Sequence, residues 1–68
     1  MLEKRSVSLS GHRTSIALEP EFWAALRALA AADGVTLAAL VGQVDAGRSP
    51  AQPLASALRV YVLVRRSE

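Results

Sequence analysis

The sequence predicts a mainly α chain with one N-terminal β-strand, followed by three helices and closed by a second copy of itself. Three observations predict it. Arg13-Thr14-Ser15-Ile16-Ala17-Leu18 alternates, with Thr14, Ile16 and Leu18 on one face, the period of a half-buried strand. Beyond Pro20 the apolar spacing becomes helical. The chain has 68 residues, 51% of them hydrophobic, and no cysteine. A chain this short buries only about 60% of its unfolded surface when it folds alone. With no disulfide or thiolate metal site to assist it, association is the remaining device.

The strand reading covers residues 13–18, with 1–12 as an arm or short strand. Ser6-Val7-Ser8-Leu9-Ser10 also alternates, but its apolar positions are odd whereas those of 13–18 are even. A turn or bulge at Gly11 accounts for the shift. The first helix is expected over 20–32. Pro20 suits a first helical position, and Glu19 and Glu21 complement the positive end of the helix dipole. Phe22, Leu26 and Leu29 follow helical spacing beside Trp23, and Asp33-Gly34 ends the run with a residue suited to a left-handed cap. The second helix is expected over 36–46, with Thr36 as N-cap and Leu37, Leu40, Val41 and Val44 as its apolar stripe. Gly42 is a weak point within it. Arg48 to Pro53 is turn-rich. A third helix is expected over 53–65, where Leu54, Leu58, Tyr61 and Val62 have helical spacing. Val60 to Val64 also has strand propensity, but Pro53 and the Ala/Leu opening favour helix. The whole of 1–68 reads as one domain.

The formal net charge is +2 and the isoelectric point about 9.9, which favours an anionic partner without demanding one. The basic residues gather towards the ends: Lys4, Arg5 and Arg13 early, Arg59, Arg65 and Arg66 late. Arg65-Arg66 reads as a solvated helix end, favourable to the dipole. No stretch reaches the roughly 18 apolar residues of a membrane span, and the start is polar, without the apolar core of a signal peptide; a cytoplasmic protein is expected. The single histidine, His12, has no companions at metal-ligand spacing. Paired catalytic carboxylates, a supported Ser/His/Asp set and a phosphate-cradling glycine loop are all missing. The sequence therefore predicts no enzyme, no cofactor and no metal.

The run from Arg13 to Leu26, followed by Asp33-Gly34-Val35-Thr36-Leu37, resembles a ribbon-helix-helix DNA-binding domain. With Lys4 to Ser8, Gly11-His12 and the ending Ser56 to Val60, it is similar to a compact bacterial subgroup of that superfamily, over residues 4–64. The resemblance implies an intertwined homodimer with an intermolecular two-stranded antiparallel ribbon, one strand from each subunit. It implies a sequence-specific, DNA-binding transcription regulator, a repressor, with double-stranded DNA as partner. Carried over by position, Arg13, Ser15 and Ala17 would contact bases. Their chemistry suits this: arginine bonds guanine bidentately, serine donates or accepts, and alanine touches a thymine methyl. Lys4, Arg5, His12, Thr36 and Leu37 would contact phosphates, the last two through helix-start N–H groups. Ile16, Leu18, Phe22, Trp23, Leu26, Leu40 and Val44 would form the dimer core. Ala17 stands where a polar reader is commoner. The alternative reading is an antitoxin-like or other interaction module whose C-terminal helix binds a partner protein.

Overall fold

The computed structural model describes residues 1–68. Its elements are β1 (Glu3–Leu9), β2 (His12–Leu18), α1 (Pro20–Asp33), α2 (Leu37–Gly47) and α3 (Leu54–Arg66). β1 and β2 form a two-stranded antiparallel sheet. The residues between them, Ser10 and Gly11, both have positive φ, 50° and 82°. Such a two-residue loop matches the right-handed twist of the flanking strands. It also explains the parity shift. Leu9 faces His12 across the turn and Glu3 faces Leu18 at the far end, so odd positions of β1 share a face with even positions of β2.

The sequence leaves residues 13–18 without a partner strand of their own and pairs them with their copy in a second subunit. In the structure, β2 pairs along its length with β1 of the same chain. The short loop brings two alternating segments together locally, and of the two readings of residues 1–12, arm or short strand, the strand is the one present, over Glu3–Leu9.

The inner face of the hairpin, with Val7, Ile16 and Leu18, packs on the helices. Trp23, Leu26, Leu40, Val41, Leu58 and Val62 complete a buried core, and Leu18, Trp23, Leu26, Leu40 and Leu58 are wholly enclosed. Each such side chain contributes about 1.5–3 kcal/mol through burial. Of the residues assigned to a core between subunits, Ile16, Leu18, Trp23, Leu26 and Leu40 are thus buried within a single chain. Phe22 and Val44 are half-buried at its margin. Trp23 joins α1 to the hairpin: its Nε1–H donates to the Glu3 carbonyl oxygen at 2.8 Å, and the Arg5 guanidinium lies 5.6 Å from its ring centroid.

The helix boundaries follow their caps. Pro20 opens α1. At its end Gly34, at φ 71° and ψ 28°, donates to the Ala31 carbonyl while Val35 donates to that of Ala30, at 3.2 and 3.0 Å. These two bonds satisfy the last-turn carbonyls as a left-handed glycine cap does. Thr36 caps α2, its Oγ1 accepting from the Ala39 N–H at 3.0 Å. Arg48 organises the connection to α3, donating to Asp45 Oδ1 at 2.8 Å and to the Gln52 carbonyl at 2.7 Å. Val60 to Val64 is helical; three of the helix's buried side chains, Ala57, Leu58 and Val62, recur at the helical period.

α3 holds both ends of α1. Arg59 donates to Glu19 Oε1 at 3.1 Å and lies over the Phe22 ring. Arg65 makes a bidentate pair with Asp33 at 2.9 and 3.0 Å and also donates to the Tyr61 hydroxyl. Arg65 is therefore engaged, not solvated as its terminal position suggests. Asp33 stands at a helix C-terminus, where negative charge is unfavourable, and the guanidinium offsets it. A backbone hydrogen bond within Glu19 and the Arg59 side chain hold the Glu19 carboxyl below its ordinary value, and Arg65 does the same for Asp33.

Two predictions follow from this framework. Gly11 has open space around a would-be Cβ, so Gly11→Ala is penalised by conformation alone, by about 1 kcal/mol. Ser10→Asn, which tolerates the left-handed region better, should be stabilising. Urea unfolding of the two variants should move in opposite directions; equal effects would remove the turn as the determinant of the hairpin. The second concerns acid. Carboxyls with depressed native pKa contribute stability that is full above their unfolded values and lost as pH falls through the native ones. Stability should begin to drop below the ordinary carboxylate range, roughly pH 4, and Asp33→Asn should show a shallower drop. Unchanged acid sensitivity in that variant would show that the Arg65 pair contributes nothing to stability.

Candidate nucleic-acid interface

Strand alternation sends every second side chain to the outer face of the hairpin. From β1 these are Lys4, Ser6 and Ser8; from β2 they are Ala17, Ser15 and Arg13, directly opposite them in that order. All are exposed except the half-buried Ala17. The face combines four small side chains with Lys4 and Arg13 and is free of carboxylates. Neighbouring strands lie about 4.8 Å apart and seven residues span roughly 23 Å. A two-stranded ribbon of that section enters the major groove of B-DNA, which is about 12 Å wide.

The charges on this face are uncommitted. The chain has eight Lys and Arg residues. Arg5, Arg48, Arg59 and Arg65 are spent on Glu3, Asp45, Glu19 and Asp33, and Lys4, Arg13, Arg27 and Arg66 make no ion pair within the chain. Two of these last four lie on the outer ribbon face, at opposite ends of the strand pairing. Arg13 sits next to the turn and Lys4 near the base, separated by the serines. Their donors are free for an anionic or acceptor-bearing partner.

The residues singled out from the sequence fall into three groups. Arg13, Ser15, Ala17 and Lys4 share the outer face. Arg5 does not: it lies on the opposite face, 2.7 Å from Glu3 Oε1 and stacked on Trp23. Consecutive residues of a strand cannot share a face, and this separation disappears when the segment is read as an arm. His12 is exposed at the end of β2 beside the turn, paired with Leu9. Thr36 and Leu37 stand at the start of α2, apart in sequence from the ribbon. Ser6 and Ser8 escaped the sequence reading. Their signal was the even-numbered polar positions of residues 6–10, legible once that segment is placed beside β2.

No three His, Asp or Glu residues converge to hold a metal ion. No single helix is long and apolar enough to cross a membrane.

The ribbon-helix-helix domain profile matches residues 2–65. Among curated proteins and solved structures, nothing matches the chain. Domains of the matched type generally bind DNA, in transcription regulators or antitoxins, and typically form dimers. The match extends from the residue before β1 to the last turn of α3, taking in the hairpin, its helices and their connections, and the chain belongs to the ribbon-helix-helix domain family.

Proposed function

We propose that this protein is a sequence-specific DNA-binding transcription regulator, a repressor working as a homodimer, that lays the outer face of its hairpin in the major groove. The observation that carries the reading is the pair of uncommitted cations, Lys4 and Arg13, on a face without carboxylates. The rest of the hairpin's chemistry is consistent with this use, because its other face is consumed by the core.

In this reading Arg13 bonds a guanine edge, Ser15 reads donors or acceptors, and Ala17 contacts a thymine methyl. Ser6 and Ser8 add two hydroxyls between them. Lys4 neutralises phosphate, with His12 at the turn and the Thr36-Leu37 N–H groups as further phosphate contacts. Arg5 is left out of the set, because contact with DNA would cost its pairing with Glu3 and its stacking on Trp23. One hairpin per subunit supplies a complete two-stranded ribbon, so two copies would present two ribbons to two half-sites.

An antitoxin-like role has one observation in its favour, the exposed apolar side chains of α3.

Base readers and phosphate binders fail differently. With a site selected from random duplexes, Arg13→Ala should cost roughly 1–3 kcal/mol on that site and much less on random DNA. Lys4→Ala should weaken both alike and flatten the salt slope by about 0.9 for each phosphate that is no longer neutralised. Thermal melting should be little changed in either variant, since both side chains point away from the core. Failure of the wild-type protein to bind any duplex in low salt would dismiss the reading. Equal losses for Arg13→Ala on both duplexes would reassign Arg13 to phosphate.

A further inference from the structure

Lys4 is the cation at the base of the outer hairpin face, and it stands where the strand ladder gives out. Its neighbour Glu3 is the first residue of β1 and faces Leu18, the last of β2. No pairing continues beyond them, and Met1 and Leu2 precede Glu3 at 106% and 52% exposure. Chain ends of this kind fray unless something ties them down. Here the tie comes from α1. Trp23 is wholly buried, and its Nε1–H donates to the Glu3 carbonyl oxygen at 2.8 Å. The Arg5 guanidinium lies 5.6 Å from the centroid of the same ring and 2.7 Å from Glu3 Oε1. Both sequence neighbours of Lys4 are therefore gripped by one indole, Glu3 through its main chain and Arg5 through its side chain.

We infer that Trp23 is the positioning residue for Lys4: by holding Glu3 and Arg5 on the inner side of β1, it fixes the ammonium group on the outer side. The inference rests on the reading above that Lys4 neutralises phosphate. Strand alternation supplies the direction, because a residue between two inward neighbours points outward. α1 supplies the rigidity. The Trp23 main-chain N–H donates to the Glu19 carbonyl at 3.2 Å in the first turn, and Glu19 is tied to α3 through Arg59. A lysine side chain loses freedom on contact with a phosphate whatever its backbone does. A frayed backbone would add its own ordering cost at the moment of binding, and the tie removes that second cost. Arg13 needs no such tie. It faces Ser8 beside the turn, roughly 17 Å along the strand from Glu3.

A mutant cycle on duplex binding by the full chain tests the assignment. Trp23→Phe keeps an aromatic ring in the core and removes the donor. One hydrogen bond of ordinary strength corresponds to roughly two- to tenfold in an equilibrium. Affinity should fall by that factor, equally on selected and random duplexes, with the salt slope flattened as in Lys4→Ala. In a Lys4→Ala background the same change should cost less than about twofold, whereas in an Arg13→Ala background it should cost its full factor. Trimming a filled core also costs stability, so a second variant carries benzothienylalanine in place of Trp23, the indole shape without the N–H; it should behave as Trp23→Phe does. Backbone N–H order parameters read the tie without DNA. In both variants those of Glu3 to Arg5 should fall from about 0.85 towards 0.6 or lower, while those at Ser8 and Arg13 hold. Equal losses of affinity in the Lys4→Ala and Arg13→Ala backgrounds overturn the inference, since they are the signature of general destabilisation. So do order parameters that stay high at Glu3 to Arg5. A wild-type chain that binds no duplex counts against the proposed function, and the order parameters then uphold or overturn the tie by themselves.

Discussion

The two-residue turn at Ser10-Gly11 is the constraint on which the rest of the molecule depends. Because the loop has an even number of residues and closes on the pair Leu9 and His12, the odd positions of β1 and the even positions of β2 share a face. Every large apolar residue of both strands then falls on the helix side and every serine on the other. A loop one residue longer, without a compensating bulge, would invert one strand and put Val7 in water and serines in the core. The turn is possible because glycine accepts its left-handed conformation without strain.

On that platform the core is assembled by side chains of uneven reach. Trp23 spans from α1 to the first strand and satisfies its one polar atom on the Glu3 carbonyl, so a large buried aromatic carries no unpaired donor. α3 then closes the helical layer through Leu58 and Val62 and ties both ends of α1 with Arg59 and Arg65. Exposed ion pairs contribute little individually; their role here is orientation. They consume cations that would otherwise be available to a polyanion, which leaves the hairpin face as one of the few places where free positive charge remains.

This division of labour separates two surfaces. The polar hairpin face has donors and no hydrophobic anchor. The α3 face has an aliphatic ridge between grooves and an unpaired charge of each sign. Arg5 shows how the tertiary structure assigns charges between roles. Adjacent to Lys4 in sequence, it is turned inward by strand alternation and used to cover Trp23.

The sequence by itself determined the order of elements and most of their ends, because these rest on local chemistry. Proline at a first helical position, glycine past a last one, a threonine cap and the change of apolar period from two to 3.6 all act within a few residues. It also determined which side of β2 is polar, so Arg13, Ser15 and Ala17 were legible as a face. What only the tertiary structure decided is pairing: that Glu3–Leu9 is the partner strand of β2, that Lys4 and Arg5 part company, and that Ser6 and Ser8 join the outer face. It likewise decided that Arg59 and Arg65 bind Glu19 and Asp33, contacts 40 and 32 residues apart in the chain. Pairing depends on which segments meet in space, and alternation records a strand's two faces without naming the neighbour along its edge.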